Sequence, residues 1–556
     1  MEHSKTNLPA QEAAEESRLD QPITTKFLLT FTIPTIISFV IMGIFGIVDG
    51  VFAARGISQE ALGAINFVLP FFTFTMAIGA MLSMGGSALV AKKKGEGLDR
   101  EARENFTLIL LVTFTTSAII SVLSWLMREP LLRMLGTDAG VFDLSMAYLQ
   151  PLIIMMPFVM VGLVLVQFLI AEGRPVLGMF ASSSGAFVST GLNAIFIFVL
   201  DLGVMGLALA TGIGYAVPTV LGLIYFATNR KGTIFFVRPA WDIAALGRSS
   251  LNGISEMITM MATTVTTIVM NNVLVRIVGW EGVAAAGIVL AAQGIFASLF
   301  FGYSAGVAPV VSYHYGKAIQ GSPEAGKGQN DNLKKLYTKS LGIVGVLSAI
   351  ALVCTILFSD LLVRIYVSPN DPFMGHLHEM AVRGLRIASM GFVLMGFNMF
   401  ATAWFTAFND GLVSGFMSLM RTMVFLLLLL VTLPRIWDLN GVWIALPMAE
   451  VLSIAVTIFF LLKMGKKYHY RGLEQVAGEL AAQGWPQWDE KDAIIERLKA
   501  QLEQSQFRVE SERKLYATRL REIRGEIEAH ISKKQALAYT SGHGGTPVHR
   551  VKVRRK

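Results

Sequence analysis

The chain has 556 residues, of which 53% are hydrophobic and only 15% charged, and its mean hydropathy is +0.57. A soluble globular domain carries about a quarter charged residues, so a single water-soluble core is excluded and much of the apolar surface must face lipid. A net charge of +8 on a soluble protein would suggest nucleic acid; here the basic residues crowd into alternate loops, which points instead to helix orientation and anionic headgroups.

Residues 1–22 are polar and acidic and do not read as a signal peptide, because the first apolar run lies too far in and is too long. A spanning helix needs about 20 apolar residues. Such stretches occur near 27–54, 61–90, 105–127, 142–171, 175–200 and 204–227. A second set follows near 250–278, 283–313, 337–358, 379–408, 411–434 and 441–464. The pattern predicts an all-α membrane protein with twelve transmembrane helices. The one cysteine, Cys354, lies inside the ninth stretch and reads as a small buried hydrophobe; a single cysteine excludes an internal disulfide or a multi-cysteine metal site. His314 reads as a loop residue without a partner at metal spacing, and no nucleophile–base pair is evident, so no enzymatic activity is expected.

After Arg471 the composition changes. Residues 489–535 are charged and helix-prone, with Ile495, Leu502, Val509, Tyr516 and Ile523 at seven-residue intervals. The complementary positions are mostly polar, which makes half a coiled-coil seam, suited to a lone amphipathic helix, weak self-association or a partner site. The basic end at 541–556 suits contact with anionic lipid.

One set of alternate loops holds Lys92–Lys94, Arg230, Lys231, Lys334, Lys335, Lys466 and Lys467; the other holds little beyond Arg55, Arg128, Arg133, Arg276, Arg364 and Arg435. The positive-inside bias places both termini in the cytoplasm of an inner (plasma) membrane protein. A shift of 221 residues aligns 48–95 with 269–316 at ten identical positions, including Arg55 with Arg276, Glu60 with Glu281, Ser83 with Ser304, Gly85 with Gly306 and Gly95 with Gly316. A shift of 237 aligns Phe168 with Phe405, Gly178 with Gly415 and Asp201 with Asp438. The difference fits a long loop at Gln320–Leu336. Each half therefore holds six helices and enters the membrane in the same sense. Two parallel six-helix bundles, 26–240 and 241–471, are expected about a pseudo-two-fold axis along the membrane normal. The segments 1–25 and 472–556 flank them as cytoplasmic tails.

Six motifs, taken together, resemble the multidrug and toxic compound extrusion (MATE) family of bacterial type. They are I-V-D-G-V-F-A-A-R-G (Ile47–Gly56), M-G-G-S-A-L-V-A-K-K-K-G-E-G (Met84–Gly97) and A-E-G-R-P (Ala171–Pro175). The others are L-G-V-M-G-L-A-L-A-T (Leu202–Thr211), G-V-A-P-V-V-S-Y-H-Y-G (Gly306–Gly316) and L-N-G-V-W-I-A-L-P-M-A-E (Leu439–Glu450). The resemblance spans roughly 25–465. It implies export of amphipathic, often cationic, compounds in exchange for protons or sodium, with no nucleotide and no cofactor beyond the coupling ion. The chain has no phosphate-binding G-x-x-x-x-G-K-[ST] loop.

Asp49 lies mid-span among Ile44, Phe45, Ile47, Val48, Val51 and Phe52. A carboxylate at the bilayer centre costs about 2.5–3.5 kcal/mol unless it is paired, protonated or wetted. It reads as a proton or sodium site, or as a helix-to-helix hydrogen bond, and it matches the aspartate of the family's first-helix motif. In the family this aspartate works with an Asn and an Asp four residues apart on the fifth helix. The resemblance places those positions at Ser189 and Asn193, and a family threonine at Thr211. With neither of the pair titrating, one ionisable group is left. Glu256 reads as a second cation site, a gate or a solvated helix end. Gln167, Glu256, Asn272, Gln293, Tyr303 and Asn398 are candidates for a polar substrate cleft. Glu450 and Arg421 read as packing contacts.

The expected function is ion-coupled export of small amphipathic cations, with membrane lipids as surroundings and no nucleic-acid partner. A lipid-linked precursor flippase of the same superfamily would want a basic cleft, and few Arg or Lys lie in the spans. A scaffold presenting the tail would leave Asp49 unexplained.

Overall fold

The computed structural model describes residues 18–468 apart from 138–139, 230–231, 321–322, 365–366, 368–374 and 466. The described residues fall within one compact unit. The heptad row and basic end expected of the tail lie outside the described residues.

The chain is built from helices. The first half comprises α1 (Thr25–Val51), α2 (Gln59–Gly95), α3 (Asp99–Leu126), the short α4 (Arg128–Met134), α5 (Phe142–Ala171), α6 (Pro175–Ala194) and α7 (Gly203–Thr228). The second comprises α8 (Ile243–Val278), α9 (Trp280–Gln320), α10 (Pro323–Arg364), α11 (Gly375–Ser389), α12 (Phe392–Ala407), α13 (Gly411–Leu419), α14 (Leu426–Thr432) and α15 (Pro434–Met464). π-helical turns occur at Phe52–Ile57, Ile195–Val199 and Met420–Phe425. Local chemistry sets several starts. Thr24 accepts from the Phe27 amide (3.0 Å), Ser58 from Ala61 (3.1 Å) and Asp242 from Ala245 (2.8 Å), which satisfies amides a helix start leaves open. Pro175 and Pro434 occupy first-turn positions where no amide is needed.

Among the described residues, eleven helices are long and apolar enough to cross a bilayer. Counted together as one span bent by 53°, α11 and α12 bring the number to twelve. Exposed apolar side chains such as Phe114, Val122 and Leu126 on α3 and Val353, Leu357 and Leu361 on α10 form the lipid-facing belt. The structure corrects two expectations. Most of the segment 320–336 is the start of α10 and not a loop. His314 sits within α9 and is buried.

The two halves are parallel repeats. In the first, α5 packs on α2 and α7, and α6 on α7; in the second, α9 packs on α10, α11 and α12, and α8 on α13. They meet through α2 against α8 and α9, and through α1 against α9. The pseudo-two-fold relation is visible in single atoms. A Cβ on Gly95 would collide with the carbonyl of Tyr313, and a Cβ on Gly316 with the carbonyl of Lys92. Gly95 and Gly316 are 221 residues apart, and so are Lys92 and Tyr313. The same patch is used on both halves, as in a two-fold interface between identical subunits.

Candidate functional site

Contacts between the halves gather at the end of the molecule that carries Lys92–Lys94. There Gly85 abuts the backbone of Ser249 and Gly253, and Gly253 abuts Met81. Along α1 and α9, Gly306 meets Thr35, Gly302 meets the backbone of Ile36, and the rings of Phe39 and Phe301 are 4.9 Å apart. Only glycine lets backbones approach this closely. Gly43 against Ser298 is the next contact along the pair; beyond it Gly46 and Gly50 of α1 and Gly287 and Gly294 of α9 face open space. The halves are thus clamped at one end, while beyond Gly43 these glycines of α1 and α9 have no neighbour within 4 Å.

Asp49 lies on α1 just before the turn Phe52–Ile57, and Asn193 on α6 just before the turn Ile195–Val199. These two π-helical turns pack on each other. Phe52 and Phe198 rings are 6.0 Å apart, and Gly56 sits against Ile197 and Phe198. Such turns project side chains out of the regular helical register and recur at functional sites. Here they bring Asn193 Nδ2 to 2.7 Å from Asp49 Oδ1. Asn193 is wholly buried, and its own Oδ1 has no hydrogen-bond partner. Tyr148 of α5 packs on the buried cluster of Ala53, Ile197 and Leu207 at these turns, and Tyr148 and Tyr215 of α7 both pack on the neighbouring cluster around Leu149 and Met156. Sequence reasoning missed both tyrosines; their distance along the chain from Asp49 gave no signal.

The other expected members of the site are placed differently. Ser189 is buried and faces Gly214 of α7, where a Cβ on the glycine would strike it. Thr211 donates to the Leu207 carbonyl of its own helix at 3.0 Å. Among the described residues neither hydrogen-bonds Asp49.

The cleft candidates divide. Asn272 is exposed and donates to Ile268 in its own helix (2.9 Å), while Gln293 is part-buried with an unpartnered Oε1. Gln167 is a clamp residue, donating to the Ala305 carbonyl of the other half at 3.2 Å. Tyr303 is wholly buried in the core of the second half, against Phe400. Asn398 is also in that core. It donates to the carbonyl (3.1 Å) and Oε2 (2.7 Å) of Glu450 and accepts from Thr457 (2.7 Å). Glu256 is 7% exposed, so it is not a solvated helix end. A further pair escaped the sequence reading. Lys94 Nζ is 3.2 Å from Glu172 Oε2 with both side chains buried, and Glu172 also accepts from the amide (2.7 Å) and hydroxyl (2.6 Å) of Thr233. Among the described residues no three His, Cys, Asp or Glu side chains converge as a metal site.

Comparison with known proteins places this geometry. A family model described as MatE matches residues 34–199 and 256–432. The chain is 23% identical over 437 residues to the multidrug export protein MepA of Staphylococcus haemolyticus, covering 78% of this chain and 93% of that protein. It is 23% identical over 443 residues to the MepA of Staphylococcus aureus strain MSSA476, covering 79% and 94%. Among solved structures, the outward-facing conformation of a multidrug resistance MATE family transporter of the MOP superfamily matches at a TM-score of 0.73 and 19% identity, over 81% of this chain and 98% of that one. A MOP superfamily transporter from Pyrococcus furiosus matches at a TM-score of 0.73 and 20% identity, over 81% and 97%.

Proposed function

This chain belongs to the MatE family, and from that premise we propose that it exports amphipathic, cationic compounds in exchange for protons by alternating access between its two halves. Relatives named as multidrug export proteins support the substrate class. The observation that carries the coupling is the 2.7 Å hydrogen bond from Asn193 to Asp49 in the wall of the N-terminal bundle. Among the described residues of that bundle, Asp49 is a mid-span carboxylate with a buried hydrogen-bonding partner. The donor holds the ionised carboxylate when the proton leaves. A proton needs only this group. Sodium, a hard cation, wants several oxygen ligands, and Asn193 turns its nitrogen to Asp49.

In this reading the clamped end is cytoplasmic, both termini lie in the cytoplasm, and the opposite end releases substrate outside. A proton arriving at Asp49 discharges the N-terminal half. Its departure to the opposite side restores the charge that a cationic substrate is drawn to. The test is efflux of a fluorescent cation from proteoliposomes with a proton or a sodium gradient imposed separately. Asp49→Asn should insert normally, because the amide replaces the protonated acid, and should lose gradient-driven export. Asp49→Glu should keep part of it. Export by Asp49→Asn at the wild-type rate would remove Asp49 as the coupling site, and export driven by sodium alone would overturn proton exchange.

A further inference from the structure

Residues 18–24 lead into α1 across the clamped end, and they are fixed to the first half at both of their ends. Arg18 lies against Gly173 in the turn between α5 and α6, so closely that a Cβ on Gly173 would sit 2.7 Å from the Arg18 Cβ. Gly173 has a φ of 85°, so the turn and the close approach both call for glycine. At the other end Thr24 caps α1, accepting from the Phe27 amide at 3.0 Å, and its own amide donates to the Pro22 carbonyl at 2.8 Å. Between these anchors the segment reaches the second half. Asp20 Oδ2 accepts from Lys317 Nζ of α9 at 2.5 Å. Leu19 is wholly buried, and Leu19 and Ile23 belong to the apolar cluster that holds Val307, Val310 and Val311 of α9 with Ile170 of α5.

A segment ahead of a first helix is ordered only where something ties it down. Here the ties run to opposite halves. Lys317 follows Gly316, whose missing Cβ lets α9 meet the Lys92 carbonyl of α2, so the Asp20–Lys317 pair sits at the closest approach of the halves. If the halves part at this end, α9 leaves, while the segment stays with Gly173 and α1. Leu19 then loses its α9 neighbours and the ion pair breaks. The two contacts contribute unequally. The Lys317 and Asp20 side chains are 36% and 27% exposed, so water screens the pair and it mainly sets register. Burial of Leu19 supplies most of the hold.

We propose that residues 18–24 are a latch on the clamped end: opening there requires Leu19 and Asp20 to leave α9, and the latch sets how often that happens. The latch is continuous with α1, the helix that carries Asp49, so a displacement of α1 at this end moves it. Its role in transport rests on the alternating access proposed above. Its effect on the clamp does not, and the test reads the clamp alone.

The test uses the full-length chain in liposomes with Cys354→Ser and Ser249→Cys, so that the one thiol lies between the halves, where the Ser249 backbone abuts Gly85. The rate of maleimide labelling reports opening without transport, so a failure of proton exchange at Asp49 leaves the reading untouched. In this background Leu19→Ser should label about tenfold faster, and Asp20→Lys and Lys317→Asp each a few-fold faster. Asp20→Lys/Lys317→Asp should return to the parent rate, because the exchanged charges pair again. Damage to the fold would not be mended by a second charge reversal. Parent-rate labelling in Leu19→Ser and in both single charge variants would overturn the latch, as would a double variant that labels as fast as the single ones.

Discussion

Asp201 and Asp438 stand 237 residues apart and share an unusual backbone, with φ of 50° and 45°. Among the described residues only Asn409 is a third non-glycine of this kind. Each lies near the entry to the last span of its half, so one strained turn has been built twice. At Asp438 ψ is −129°, a region that glycine alone enters freely. Asp438→Gly should therefore stabilise the protein by about 1 kcal/mol, and Asp438→Val should destabilise it by at least as much. Thermal unfolding in detergent reads both, and a lower midpoint for the glycine variant would contradict the strain.

The reciprocal approach of Gly95 and Gly316 predicts how the clamp fails. A methyl on either meets a backbone carbonyl, which cannot rotate away. Overpacking of this kind costs about 1–3 kcal/mol, and only the clamped state bears it. Gly95→Ala and Gly316→Ala should shift the molecule toward opening at this end. In a Cys354→Ser background, a cysteine at Ser249, which is wholly buried between the halves, should label severalfold faster with a maleimide. Unchanged labelling in both variants would mean that the glycines are not part of the clamp.

Asn193 gives a second handle on Asp49. Asn193→Ala removes the hydrogen bond that holds the carboxylate. Bonds to charged groups contribute about 1.5–3 kcal/mol, so the variant should export roughly tenfold or more slowly. Asn193→Ser, with a shorter donor, should fall between. Initial efflux rates at equal protein incorporation check the order, and wild-type export by the alanine variant would detach Asn193 from the site.

The Lys94–Glu172 pair is structural. Stripping one partner from a buried ion pair costs about 3–5 kcal/mol. Lys94→Met should lower the thermal midpoint clearly. Lys94→Met/Glu172→Gln should recover much of the loss, since a neutral amide still accepts from Thr233. If the double variant is less stable than the single one, the ion pair is not the source of the loss.

The apolar run lengths by themselves determined the spans, because twenty apolar residues have no favourable place except a bilayer. The repeat was equally legible: close backbone approach enforces the match of Gly95 with Gly316, and Asp201 and Asp438 share a positive φ. Asp49 stood out because a lone carboxylate among apolar neighbours needs a partner, and Asn193 is that partner. Only the tertiary structure decided which way the remaining polar residues face. In a soluble helix the polar stripe marks the outside. In a membrane helix both the lipid face and the packed face are apolar, so Tyr303 and Asn398 read as cleft candidates until the fold placed them in the core, and Arg421 and Glu450 read as separate packing contacts until the fold paired them.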